Sequence, residues 1–254
     1  MGLADVAAPE QLASMLAILG DELGMDCVLQ PIAVRVRPYR LAVFDMDSTL
    51  IRCEVIDQMA IAAGVGQQVS EITERAMRGE LDFQASFRER LAMLQGLPEG
   101  ALAEIAANLP ITDGLSELMT TLRAQGIQTA ILSGGFSYFA EHLQDLFGFD
   151  SVHANGLDVE NGQLTGVPSG AIVDAQYKRD MTITLAQNMA IELDQVIAVG
   201  DGANDLLMLG VAGLGVAFDA KPVVREQADY SLSHVGLDGV LYLLGAVSEQ
   251  LSEA

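Results

Sequence analysis

The sequence predicts an α/β fold: a doubly wound parallel sheet with a helical block inserted after its first motif and a small β-hairpin flap. Short, largely apolar runs at residues 41–44, 128–132, 195–199 and 214–218 read as strands buried on both faces of a parallel sheet. Amphipathic helical patterns separate them, as crossovers between parallel strands require. Three of the runs end in polar sets, Asp45 with Asp47, Ser133 with Gly134, and Asp201 with Asn204 and Asp205. These are the strand carboxyl ends, where open α/β sheets place their ligands.

Composition narrows the classes of function. The 254 residues suffice for one domain carrying an insertion or for two small ones; half are hydrophobic and only 5% aromatic, the pattern of an interior filled by Ala, Leu and Val. Asp and Glu number 35 against 13 Lys and Arg, and the net charge of −22 argues against a nucleic-acid binder, whose affinity rests on clustered cations. An anionic substrate must then be drawn in by a local group of cations and N–H donors against the global field. Cys27 and Cys53 form no disulfide framework or metal spacing, which points to free thiols in a reducing compartment. No apolar run approaches the ~20 residues that span a bilayer. No cationic and then apolar leader opens the chain, so the expectation is a cytoplasmic protein without membrane contact.

The chain divides into an appendage (1–40), a core (41–53 and 110–254) and a helical insertion (54–109). In the appendage residues 9–19 read as a helix and 27–36 as strand-like, with no polar cluster that would make a site. In the insertion, Val55, Met59 and Ala63 mark a helix stopped by Gly64. Asp82 then caps a helix whose stripe is Phe83, Phe87, Leu91 and Leu94, with Gly96 and Pro98 beyond it. Arg90 follows Phe83 by seven residues, roughly two turns, so ring and guanidinium share one face. Two readings stand here: Phe83 as core with Arg90 solvated, or both turned toward a site.

After Asp113 a helix through Leu115, Leu118, Met119 and Leu122 ends at Gly126. The strand at 128–132 then runs into Ser133-Gly134-Gly135 and a helix from Phe136, an arrangement that presents backbone N–H groups to an anion. Asn155-Gly156 and Asn161-Gly162 are hairpin-type turn signals, and residues 157–159 with 163–167 are expected to pair as the flap. Lys178 lies near the start of a helix running to about Asn188. A short strand near Tyr230 and a helix through Leu237, Leu241, Leu244 and Val247 close the core.

An Asp-x-Asp at a strand end can cap a turn, hold a hard cation or set a nucleophile beside an acid/base. The other strand ends break the tie. Converging on one crevice, acids from two strands make an oxygen site suited to Mg²⁺; a hydroxyl, backbone amides and Lys178 supply donors for a phosphoryl group that the surplus carboxylate can attack. No Gly-x-Gly-x-x-Gly opens a helix after the first strand and no Gly-x-x-x-x-Gly-Lys loop is present, which argues against a dinucleotide-binding dehydrogenase and a P-loop NTPase. His142, His153 and His234 are too scattered for a shared metal site.

These motifs resemble those of the haloacid dehalogenase superfamily of phosphohydrolases. Asp45-Met46-Asp47-Ser48-Thr49-Leu50 is similar to its first motif, Ser133 in Ile131-Leu132-Ser133-Gly134-Gly135 to its second, Lys178 to its third and Gly200-Asp201-Gly202-Ala203-Asn204-Asp205 to its fourth. The stretches at 73–83, 133–136 and 172–178 narrow the resemblance to the branch acting on O-phospho-L-serine. The resemblance implies Asp45 as a nucleophile that forms an aspartyl-phosphate, and Asp47 as the acid that protonates the departing serine oxygen and then deprotonates water. It implies Mg²⁺ held by Asp45, the backbone carbonyl of Asp47 and Asp201, with Asp205 ligating through water or orienting the ligands. Ser133, the Gly134 amide and Lys178 would meet the phosphoryl oxygens.

The same resemblance makes residues 54–109 a cap, in which Glu54 pairs with the substrate ammonium, Arg90 with its carboxylate, and Phe83 packs between them; Asn204 would help hold the amino acid or phosphate. It also implies the last step of serine biosynthesis and allows a homodimer. Leu207 stands where the family often has proline, and the stretch before Leu41 is too short for the complete ACT-type regulatory domain of some relatives. Phosphate transfer to homoserine, or hydrolysis of another small phosphomonoester, is the alternative enzyme. A catalytically idle sensor is the alternative of another class, and it should have lost Asp45 or Asp47, both of which are present.

Overall fold

The computed structural model describes residues 9–245. Among the described residues seven strands form one sheet: β1 (Leu41–Phe44), β2 (Gln128–Phe136), β3 (Ser151–Glu160), β4 (Gln163–Ser169), β5 (Val196–Gly200), β6 (Leu214–Phe218) and β7 (Tyr230–Leu232). Their order is β4-β3-β2-β1-β5-β6-β7, and all neighbours are parallel except the β3–β4 hairpin. β1, β5 and β6 are buried along their whole lengths, which is why their sequences run apolar without alternation. Phe44 pairs in register with Ile131 of β2 and Val199 of β5. The chain winds outward from β1 to β2 and β3 on one side and, later, from β5 to β6 and β7 on the other, so a crevice opens beyond the carboxyl ends at the β1/β5 boundary.

Two apolar layers cover the sheet. The larger contains Phe44, Phe136 and Phe139; the smaller contains Val43, Leu132, Ala198 and Met208. No helix among the described residues is long and apolar enough to cross a membrane.

Residues 54–109 form four helices, Val55–Ala62, Gly66–Met77, Phe83–Ala92 and Gly100–Ala107. Asp82 caps the third, its carboxylate accepting the Ala85 N–H at 2.7 Å. The hairpin ties this block to the sheet through backbone bonds: Gly96 N–H to Leu164 O (2.8 Å), Leu164 N–H to Leu97 O (2.9 Å) and Glu99 N–H to Gly162 O (2.9 Å). Gly166 sits at φ 80° where an added Cβ would lie 3.2 Å from Ala92 backbone atoms, so only glycine permits this approach.

Several expectations change. Residues 27–36 hold no strand: Pro31, which cannot donate to a ladder, enters a helical turn at Ile32–Arg35. The Asp26 carboxylate instead accepts the N–H groups of Ser233 and His234, and the first helix extends over Pro9–Leu23. Asn155-Gly156 makes no turn. β3 runs through it, and the hairpin turns at Asn161 (φ 53°) and Gly162 (φ 76°). β2 does not end at Leu132 but continues with a bulge through Ser133-Gly134-Gly135 to Phe136, and the helix begins at Ser137. At the end of the core a 3₁₀ turn, Leu237–Gly239, precedes a short helix, Val240–Leu243; Val247 lies outside the described residues.

Candidate active site

β1 aims its acids by continuing the ladder one residue past its end, the Asp45 N–H donating to Val199 O at 2.9 Å. The chain then turns sharply. Ser48 adopts φ 59°, and the N–H groups of Thr49, Leu50 and Ile51 all converge on the Met46 carbonyl. Thr49 Oγ1, wholly buried, donates to Asp201 Oδ1 at 3.1 Å and so binds the loop after β1 to the loop after β5. On the other side Gly135 lets β2 close in: a Cβ there would lie 2.7 Å from Met46 Cε, 3.1 Å from Asp47 Oδ2 and 3.1 Å from Ser133 Oγ.

Lys178 comes from the Ala175–Asn188 helix, whose start is capped by Asp174 accepting the Tyr177 N–H. Its Nζ lies 2.7 Å from both Asp45 Oδ1 and Asp205 Oδ1, with 0% of the side chain exposed. Burial alone would depress the ammonium, but the charges of Asp205 and Asp45 outweigh it and its pKa is raised. Asp205 is also held by the Gly202 N–H on Oδ2, 3.0 Å away.

The remaining carboxyls are poised differently. Burial, then the charges of Glu54 and Asp45, raise Asp47 well above the usual carboxylate range; the Val55 N–H at 3.3 Å opposes this only weakly. Its Oδ1 is buried with no hydrogen-bond partner. Burial and Asp205 also raise Asp45 against the pull of Lys178, and they push Asp201 up to about 7.

Oxygen atoms of Asp45, Asp201 and Asp205 lie within 4.8 Å of one another. An all-carboxylate set in which Asp45 and Asp201 are held against ionisation by burial and neighbouring charge fits a hard divalent cation, which reverses the electrostatic cause of that resistance. Cys53, by contrast, is no reactive thiol: burial and the acids around it push it up to about 11.

A cavity of about 450 Å³ opens over this floor. Asp45, Asp47, Ser133, Gly134, Asp201 and Asn204 line it from the sheet side, and Glu54, Phe83 and Arg90 from the helical block. Phe83 is 37% exposed and lies over Gly134, where an added Cβ would meet its Cζ at 3.3 Å; it also stacks on Phe87. Arg90 is half-buried, its Nε shielded without a partner, and burial lowers its pKa against Glu54, Asp57 and Asp47. Phe83 and Arg90 thus both face the cavity.

Three candidates have protein partners of their own. Lys178 and Asp205 lie behind Asp45 rather than on the cavity wall, and Glu54, although lining the cavity, is exposed and accepts the Ser48 hydroxyl at 3.1 Å. Ser86, Lys221, Thr49 and Asn155 join the site or its support without having been singled out in the sequence. Lys221 follows β6, so the rule that strand carboxyl ends carry ligands could have found it.

Fold and site together define a class of enzyme. A family model for haloacid dehalogenase-like hydrolases matches residues 39–213, and the chain belongs to that family. It is 45% identical over 229 residues to a phosphoserine phosphatase of Archaeoglobus fulgidus, an alignment covering 90% of this chain and 67% of that protein. It is 46% identical over 209 residues to a phosphoserine phosphatase of Idiomarina loihiensis, covering 82% of this chain and 94% of that one. The structure of a substrate-bound phosphoserine phosphatase superposes with a TM-score of 0.75 at 36% identity, covering 80% of this chain and 97% of the other. Against its longer curated relatives the chain spans only 60% to 67% of their length.

Proposed function

We propose that the chain hydrolyses O-phospho-L-serine to L-serine and phosphate in the presence of Mg²⁺, the closing step of serine biosynthesis in a cytoplasmic setting. One observation carries the substrate: a single cavity joins the buried Asp45 and Asp47 carboxyls to Arg90, a guanidinium whose shielded Nε has no protein partner. A phosphate monoester at one end and an amino-acid carboxylate at the other match those two features.

Asp45, paired with Lys178, is the nucleophile that takes the phosphoryl group as an aspartyl-phosphate. Asp47, which burial and neighbouring charge favour in the neutral form, protonates the departing serine oxygen and then takes a proton from the water that cleaves the acyl phosphate. The Ser133 hydroxyl and Gly134 N–H face the phosphoryl oxygens. Glu54 meets the ammonium, Arg90 the carboxylate, and Phe83 and the helical cap exclude water. Asp45, Asp201 and the Asp47 carbonyl, with Asp205 in support, would hold Mg²⁺, which would supply positive charge for the phosphoryl group.

The test is phosphate release from L-phosphoserine with Mg²⁺ and with EDTA, beside the D-isomer. Mg²⁺-dependent turnover of the L-isomer, lost in Asp45→Asn with the fold intact, is expected. Equal turnover of both isomers, or substantial activity in Asp45→Asn, contradicts the reading.

A further inference from the structure

We propose that Asn155 is a positioning residue that makes Ser133 a hydrogen-bond donor toward the phosphoryl group. Asn155 is 1% exposed, and both ends of its amide are used. Its Nδ2 donates to the Gly134 carbonyl at 2.7 Å, and its Oδ1 accepts the Val173 N–H at 2.7 Å. The orientation is unambiguous, because an N–H faces one end and a carbonyl the other.

The Gly134 carbonyl and the Gly135 N–H belong to one peptide unit, so locking the first fixes the second. The Gly135 N–H donates to Ser133 Oγ at 2.9 Å. A serine oxygen that accepts this bond keeps its own O–H for another partner. Ser133 lines the cavity beside Asp45, so the spare proton is available to the phosphoryl oxygens.

Flipping the peptide would reverse the polarity. The Gly134 carbonyl would then face Ser133 Oγ, the hydroxyl would donate to it, and the cavity would lose a donor. Two successive glycines resist such a flip poorly, since neither carries a Cβ. Asn155 supplies the resistance from a strand 21 residues away. Through Val173 it also joins the Ser133 segment to the start of the Lys178 helix.

This inference rests on Ser133 meeting a phosphoryl group, not on the identity of the alcohol. The experiment is therefore a double-mutant cycle of Asn155→Asp with Ser133→Ala, read with L-phosphoserine and with p-nitrophenyl phosphate. If only the aryl ester is turned over, the substrate reading fails and this test stands. Asn155→Asp keeps the acceptor for Val173 and removes the donor to Gly134. The expected result is a kcat lower by about 30-fold with KM within about 3-fold, and no more than about 2-fold further loss when Ser133 is already Ala.

The Mg²⁺-induced rise in Tm, unchanged in Asn155→Asp, shows that the metal-binding acids are in place. Should Asn155→Asp not fold, Asn155→Ser, which carries no charge but gives up the Val173 bond along with the Gly134 bond, enters the same cycle. Losses that multiply independently of Ser133, a change confined to KM, or an unaltered kcat would overturn the proposal.

Discussion

Lys178 Nζ and Asp45 Oδ1 are 2.7 Å apart at the bottom of the site, and Asp205 Oδ1 is equally close to the same nitrogen. The ammonium has no exposure and no cavity surface, so its charge is spent on the two carboxylates. Removing one member of an ion pair this deep leaves the other's charge buried without compensation.

Replacing Lys178 with Met therefore leaves two acids facing each other in a dry pocket. Breaking a buried pair this way costs roughly 3 kcal/mol or more. Urea unfolding of Lys178→Met in EDTA at pH 8 measures the loss. A loss under about 1 kcal/mol at pH 8 would show that the pair contributes little.

In the proposed function Arg90 reads the carboxylate end of L-phosphoserine. Arg90→Ala should raise KM for L-phosphoserine by the equivalent of about 2 kcal/mol, about 30-fold, while leaving p-nitrophenyl phosphate nearly untouched. Equal losses on both esters would remove Arg90 from carboxylate recognition.

In the proposed function metal and protons compete for the same acids. Asp201, pushed up to about 7 by burial and Asp205, binds a proton more readily folded than unfolded. A carboxyl raised in this way contributes stability that is fully present below its unfolded pKa of ~3.9 and is lost as the pH rises through its folded value. The Tm in EDTA should accordingly fall between pH 5.5 and pH 8, and the rise on adding Mg²⁺ should be larger at pH 8. Asp201→Asn should flatten part of the fall and most of the metal response. A metal response of equal size at both values, in wild type, would contradict the linkage.

Gln84 ties the Phe83–Ala92 helix to the start of the Lys178 helix. Its Nε2 donates at 2.9 Å to Asp174 Oδ2, the residue that caps the Lys178 helix. A bond to a charged group is worth about 1.5 kcal/mol or more, so Gln84→Ala should favour the open cap and raise KM severalfold with kcat unchanged. Faster proteolysis of the Phe83–Ala92 helix without substrate, suppressed by phosphate, would show the opening directly. A KM that does not move would mean that other contacts hold the cap.

Much of the site was legible along the chain because its members sit at strand ends. Asp45, Asp47, Asp201 and Asn204 each follow a buried run and Ser133 lies within one, and such runs are recognised from local composition alone. Phe83 and Arg90 were ambiguous, since a shared helical face says nothing of what it faces. The segment at 27–36 read as a strand because its apolar content is high, yet Pro31 and the missing ladder partner decided otherwise. Asn155-Gly156 carried the local signature of a hairpin turn. It became strand because its neighbour β2 and the buried amide contacts to Gly134 and Val173 hold it extended.

The order of residues settled which groups the protein owns and that they lie near the rim of a parallel sheet, since periodicity and adjacency are properties of neighbours along the chain. It took packing across the molecule to put Lys178 behind Asp45 instead of on the cavity wall, to bury Asp47, and to tie Asn155 to Gly134. Burial, electric field and hydrogen-bond geometry depend on what the chain brings close in space. Partners 21 to 133 residues apart leave no local mark.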